Sequence, residues 1–196
     1  NITDWGLFHF REHYADQTIE KEDIFHYVYG VLHNPAYRKK YELNLKREFP
    51  RIPFYADFWQ WAKWGQKLMD LHINFEEVEP YGLKRHDNEW KLGRLPKAKL
   101  RADKEAGTIE LDEQTYLSGV PKIAWEYMLG NRSALEWILD QYKEKKPKDA
   151  TIAEKFNTYK FADYKEKVID LLDRVATVSV RTMEIVQEME SSLCSK

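Results

Sequence analysis

The chain has almost no cysteine: Cys194 is the single one in 196 residues. No internal disulfide can form and no cysteine cluster exists to hold zinc, so a reducing, cytoplasmic setting is expected. Long apolar runs are missing too. Nothing approaches the roughly 20 residues that a membrane-spanning helix needs, and no signal-peptide pattern occurs. An initiating methionine is also missing, and the opening Asn1-Ile2-Thr3 fits either a piece of something larger or a processed terminus. Strong net charge is absent: at −2, the whole molecule lacks the basic bias of an autonomous nucleic-acid binder.

The motifs of several enzyme classes are missing as well. There is no Gly-x-x-x-x-Gly-Lys-Ser/Thr loop to cradle phosphates and no Gly-x-Ser-x-Gly nucleophile elbow. Glu110, Asp112 and Glu113 are not followed by the Glu-x-Lys element of a metal-dependent nuclease. His9 and His13 have the helical spacing of a metal-binding pair, but the glutamate of His-Glu-x-x-His and a third ligand are lacking. Asn34-Pro35-Ala36-Tyr37 is similar to the Asn-Pro-Pro-Tyr loop of DNA adenine methyltransferases. The second proline is missing, however, and the preceding Ile24, Phe25, Tyr27, Val28, Val31 and Leu32 follow a helical period rather than a strand run. Asn34 reads instead as a helix cap, with Pro35 in the first helical position, where a missing N–H costs nothing. No Phe-x-Gly-x-Gly cofactor loop accompanies it. No catalytic, cofactor-binding or metal-binding residue is therefore assigned to this chain, and it is expected not to be an enzyme by itself.

What the chain does have is aromatic side chains, at 14%, and charge, at 33%, which together indicate a folded, well-solvated protein rather than a disordered one. The charge is unevenly placed. From Lys84 to Lys104 eight basic residues face three acidic ones, a local net of +5. From Arg38 to Arg51 six basic residues face Glu42 and Glu48, a local net of +4.

The periodicities predict an α+β, predominantly helical fold: helical layers around a small antiparallel β hairpin or sheet, with a long C-terminal helix. Three parts are expected within one compact domain: a helical part over 1–79, a small β-containing insert over 80–120, and a helical part over 121–196. In the first, helices are predicted at Asp4–Tyr14, Lys21–His33, Pro35–Lys46 and Phe54–Asn74. In the insert, Leu95–Arg101 and Thr108–Asp112 alternate with period two around a turn at Ala102–Gly107. This register pairs Arg101 with Thr108, Lys99 with Glu110 and Lys97 with Asp112, which makes the Lys97/Lys99/Arg101 stripe a neutralised ladder. In the last part, Pro121 opens a helix through Met128 that stops at Gly130. Ser133-Ala-Leu-Glu136 has capping-box spacing, Trp137 is expected to pack, and Val168, Leu172, Val175, Val186 and Met189 form an apolar stripe. There is no internal repeat.

Four segments resemble a known family: Lys21–Arg38, Asn44–Phe54, Leu117–Pro121 and Asn131–Tyr142. They are similar to the C-terminal specificity region of type ISP restriction-modification enzymes. In that family one polypeptide joins a nuclease, a helicase-like translocase, an adenine methyltransferase and a final target recognition domain. The resemblance implies a module that recognises a DNA target sequence and positions the methyltransferase and translocase-nuclease on it. It further implies double-stranded DNA and the upstream methyltransferase and helicase domains as partners, a bacterial cytoplasmic location, and no membrane. ATP, Mg and S-adenosylmethionine are implied for the parent enzyme, and no cofactor for this fragment. The alternative is a helical scaffold or interaction module of a larger DNA-processing enzyme, with no direct base readout.

Recognition chemistry narrows the DNA-binding candidates. Phosphates are met by Lys and Arg, and base edges by Arg, Asn and Gln. The polar loop Lys84–Glu89 contributes Lys84, Arg85, His86 and Asn88, joined by Arg94 and Lys104, which have no evident internal partners. Asn131 and Arg132, expected between two helices, are further candidates. Lys145, Lys146 and Lys148 read as phosphate contacts or as a solvated helix end.

Overall fold

The computed structural model describes residues 2–144 and 159–194 and divides into two compact units. One comprises residues 1–74 with 184–196, and the other residues 75–183. The reading of Lys145, Lys146 and Lys148 falls outside the described residues. The fold is mostly helical with a small antiparallel sheet, as the periodicities predict.

The first unit is built on α1 (Asp4–Tyr14), α2 (Lys21–His33), α3 (Pro35–Lys40), α4 (Glu42–Leu45) and α5 (Phe58–Ile73). Asn34 caps α3 as expected: its side-chain oxygen accepts from the Tyr37 N–H at 2.9 Å, and Pro35 follows at the first helical position. The single helix expected from Pro35 to Lys46 is broken at Tyr41. The helix expected to begin at Phe54 begins at Phe58, because Asp57 takes the cap position and accepts from the Gln60 N–H. The extended link before it is held by tyrosines. Tyr27 donates to the Pro53 carbonyl and accepts from the Tyr55 N–H, both at 2.7 Å, and Tyr37 donates to the Arg51 carbonyl. Buried Ile24, Tyr27, Val31, Phe58, Trp61 and Leu68 form the core between α2 and α5.

Those two helices approach at glycines. A Cβ on Gly65 would run into the carbonyl group of His26 and lie 2.8 Å from the Gly30 nitrogen; one on Gly30 would lie 2.8 Å from the Trp61 carbonyl oxygen. Both obstacles are backbone, which cannot rotate aside. Gly65→Ala is therefore expected to cost at least about 1–3 kcal/mol, read as a lower denaturation midpoint with an unchanged slope in urea.

A histidine pair lies beside this contact. His72 hydrogen-bonds the Tyr29 hydroxyl at 2.9 Å, and its ring centre is 5.2 Å from that of His33. Burial, reinforced by His33, lowers the His72 pKa from 6.5 to about 4, and burial also lowers that of His33. The unfolded chain thus binds protons before the folded one does. Stability should be complete above pH 6.5 and fall as the pH drops toward 4. Unfolding curves across that window should show the loss, and His72→Gln should flatten it.

The second unit surrounds a four-stranded antiparallel sheet of order β1-β4-β3-β2, from β1 (Lys84–Asp87), β2 (Ala98–Asp103), β3 (Thr108–Asp112) and β4 (Thr115–Ser118). Lys84–Asp87, expected as loop, is an edge strand. The hairpin register also differs from expectation: Arg101 faces Glu110, Ala102 faces Ile109, and Asp103 faces Thr108, with a bulge between Ala98 and Arg101. The turn shortens to Lys104–Gly107 because the Asp103 carboxylate accepts from the Glu105 and Ala106 N–H groups and Gly107 takes a positive φ of 64°. Lys99 still pairs with Glu110, at 3.5 Å, but Asp112 pairs elsewhere.

After the sheet, the helix expected from Pro121 to Met128 is a 3-10 turn, Lys122–Trp125, followed by the short hairpin β5 (Met128–Leu129) and β6 (Arg132–Ser133). Gly130 lies in that hairpin's turn with φ 72°. α6 (Ala134–Gln141) opens with the expected capping box of Ser133 and Glu136, but Trp137 points outward at 45% exposure. The long helix α7 (Lys165–Cys194) belongs to this unit up to Met183. Its Val168, Leu172 and Val175 are buried in one core with Ile109, Leu111, Leu117, Leu135 and Leu139.

Candidate nucleic-acid interface

Strand alternation divides the second unit's sheet into two chemically different faces. Ile109, Leu111 and Leu117 point into the core. Across from Leu117 and Thr115 stand Arg85 and Asp87, so these two β1 residues lie on the same, helix-facing side.

A continuous polar chain ties that side to the start of α7. The Lys165 ammonium pairs with Asp112 at 2.8 Å and donates to the Thr115 hydroxyl at 2.6 Å. The Thr115 hydroxyl donates to Asp87, whose second oxygen accepts from the Arg85 Nε at 2.7 Å. Arg85 then reaches both oxygens of Glu166, at 3.0 and 2.8 Å. The Thr115 hydrogen bond, together with Arg85, holds the Asp87 carboxyl below the usual range despite its partial burial. Asp112 has the same ordering role at the β3–β4 turn, where it accepts from the Gln114 and Thr115 N–H groups.

The other face carries Lys84 and Ser118, His86 and Tyr116, and Glu110 and Arg101, none of them buried. His86 stacks on Tyr116 with ring centres 4.5 Å apart and planes 7° from parallel, and hydrogen-bonds the Ser118 hydroxyl at 2.8 Å. Tyr116 and Ser118 were not singled out from the sequence. The available signal was the alternation of Thr115-Tyr-Leu-Ser118 ahead of Gly119, too short to stand out from a loop.

The eight sequence candidates are thus distributed unevenly. Lys84 and His86 share the open face of the sheet and Arg85 lies on the opposite one. Asn88 is exposed just beyond β1, its N–H donating to the Gln114 carbonyl. Arg94, in the β1–β2 connection, grips Glu113 through two nitrogens and lies 5.2 Å from the Trp90 ring centre. That contact, with the Lys97 N–H, lowers the Glu113 pKa to about 2. Lys104 pairs with Glu136 at 3.0 Å. Asn131 and Arg132 belong to the β5–β6 hairpin, where Arg132 pairs with Asp140. Arg85, Arg94 and Lys104, expected to be unpartnered, therefore hold carboxylates, as Arg132 does, whereas Lys84 and Arg101 have no ion pair among the described residues. In the first unit, Arg38, Lys39, Lys40 and Arg47 of the second basic patch are exposed and likewise without ion pairs among the described residues.

The described residues contain no group of three or more His, Cys, Asp or Glu side chains able to hold a metal ion. No described helix is long and apolar enough to cross a membrane.

Residues 1–171 match the family model of the type ISP C-terminal specificity domain. The chain belongs to that family. Among solved structures, this specificity domain is similar to part of DrdV, seen in a cryoEM structure of a DrdV–DNA complex, with 59% identity and a TM-score of 0.91; the match covers 96% of this chain and 20% of that one. It is similar to the type ISP restriction-modification enzyme LlaGI, whose nuclease-deletion mutant is in complex with a DNA substrate mimic: 35% identity, TM-score 0.68, 87% of this chain and 16% of that one. It is also similar to the ATP-dependent type ISP enzyme LlaBIII bound to DNA, with 31% identity, TM-score 0.69, and coverage of 88% and 11%. The specificity domain thus spans a fifth or less of the length of these proteins. No curated protein matches it.

The buried end of the polar chain gives a direct test of how the sheet is held. The Lys165 and Asp112 side chains are 15% and 5% exposed. Lys165→Met leaves the Asp112 carboxylate buried without its cation and should cost about 3–5 kcal/mol. Adding Asp112→Asn, which keeps the turn-capping oxygen, should recover much of that loss in urea unfolding.

Proposed function

We propose that this domain recognises a DNA target sequence and positions an adenine methyltransferase and a translocase-nuclease of the same polypeptide on it. The observation that carries the reading is the specificity-domain match, supported by three similar structures that are all DNA complexes. The catalytic work then belongs to the rest of the polypeptide, which uses ATP, Mg and S-adenosylmethionine in the bacterial cytoplasm. This fragment contributes selection rather than chemistry.

The eight candidates, Lys84, Arg85, His86, Asn88, Arg94, Lys104, Asn131 and Arg132, form a pool of DNA-contacting groups of two kinds. Lys84, His86, Asn88 and Asn131 have no carboxylate partner among the described residues. Arg85, Arg94, Lys104 and Arg132 must exchange a carboxylate for a phosphate or a base. Such exchange is inexpensive for a single exposed ion pair such as that of Lys104, whereas Arg85 and Arg94, with two or more carboxylate contacts each, give up more. Arg38, Lys39, Lys40 and Arg47 add cations suited to phosphate contacts, which set position without reading sequence.

The rival reading, a scaffold without base readout, draws on the exposed Trp5 and Phe8 of α1, at 72% and 58% exposure. Exchanging residues 1–196 in the complete polypeptide for the matching region of LlaGI, then mapping the methylated adenines by sequencing, separates the two. Recognition requires the methylated sequence to follow the transplanted segment. An unchanged sequence would leave only the scaffold.

A further inference from the structure

We propose that the open face of the β1-β4-β3-β2 sheet reads the DNA bases, with His86 and Arg101 as specificity-determining residues and the major groove as the surface they meet. The inference rests on the target-recognition reading above and names the part of the domain that performs it.

Three observations converge on this face. The first is its chemistry. His86, Tyr116, Ser118 and Glu110 present hydrogen-bonding groups outward, and the stack of His86 on Tyr116 with its bond to Ser118 fixes the imidazole in place. Base edges in the major groove offer a distinct donor and acceptor pattern for each base pair, so a face that distinguishes them must hold polar groups in defined positions.

The second is charge placement. Lys84 stands on one outer strand, while Lys99 and Arg101 stand on the other; the Glu110 between them is offset by Lys99 at 3.5 Å. With strands about 4.8 Å apart, the outer strands lie about 14 Å from each other. The major groove is about 12 Å wide and admits a two-stranded ribbon. The central strands β4 and β3 would occupy the groove, and the cations of the outer strands would fall at its phosphate walls.

The third is availability. Arg101 is exposed and has no ion pair among the described residues, so its guanidinium fork can take guanine O6 and N7 without first surrendering a partner. Arg85, the more obvious arginine in the sequence, faces the helix side and is held by Asp87 and both oxygens of Glu166.

The test uses the complete polypeptide carrying this domain, with methylated adenines mapped by sequencing. Arg101→Ala and His86→Ala should each relax discrimination at one base position, roughly 5- to 150-fold. Arg101→Lys separates base reading from phosphate contact, because it keeps the charge and loses the fork; relaxed discrimination is expected there too. Full discrimination in Arg101→Lys, or uniform weakening on all sequences in the alanine variants, would overturn the proposal. So would an unchanged sequence in Arg101→Ala and His86→Ala when the LlaGI exchange does move the methylated site, and that outcome spares the broader reading. Failure of the exchange itself strikes the broader reading first.

Discussion

The second unit depends on one ammonium group. Lys165, at the start of α7, reaches a turn capped by the Asp112 carboxylate, and it also donates to the Thr115 hydroxyl on the far side of that turn. An ion of either sign at this depth is costly unless paired, so the pair specifies where the β3–β4 turn must sit against the helix more than it adds stability. From Thr115 the order passes to Asp87 and then to Arg85, and thus to the edge strand β1. That strand has few apolar anchors of its own: all four of its residues are polar or charged. The helix side of the sheet is consequently held by ionic and hydrogen-bonded contacts at one end and by Ile109, Leu111 and Leu117 at its centre.

Holding the sheet from one side leaves its other side free of structural duty. This division explains why the arginine that looks most suitable in the sequence is not the best placed. Arg85 and His86 are neighbours in the chain but belong to opposite faces, and only the register distinguishes them. The same division agrees with membership of a family defined by specificity. Selecting a sequence needs a stable display of polar groups, and such a display is what an anchored small sheet provides.

Features set by local chemistry were legible in the sequence. Asn34 with Pro35, and Ser133 with Glu136, cap their helices as the spacing requires, since a cap involves residues within three positions. The mixed, mostly helical class was legible for a similar reason. Features set by distant partners were not. Arg85 meets Glu166 across 81 positions and Lys165 meets Thr115 across 50, and nothing in the neighbourhood of either marks the partner. The hairpin register was misread because the turn is two residues shorter than the stretch read as turn, Asp103 capping it and pairing with Thr108; the bulge between Ala98 and Arg101 then shifts the pairing again farther along the strand. Trp137 was expected to pack, yet it is 45% exposed on α6. The Lys97/Lys99/Arg101 stripe was correctly seen to meet an acidic strand, but only Lys99 forms its expected pair.

The bulge in β2 also bears on how such a domain can diverge. Side chains on the open face can be exchanged one at a time with little effect on folding, because none contributes to the buried core. Under the proposed base-reading role, single substitutions at Lys84, His86, Arg101 or Tyr116 would change target preference with the scaffold left intact. Length changes obey a different rule. One residue gained or lost between Ala98 and Arg101 would turn Arg101 inward and a core residue outward, because a single-residue shift reverses every side chain of a strand. β2 is therefore tolerant of substitution at its outward positions but constrained in its length and at Leu100, which lies in the core, with the bulge as the point where the display of the open face meets the integrity of the fold.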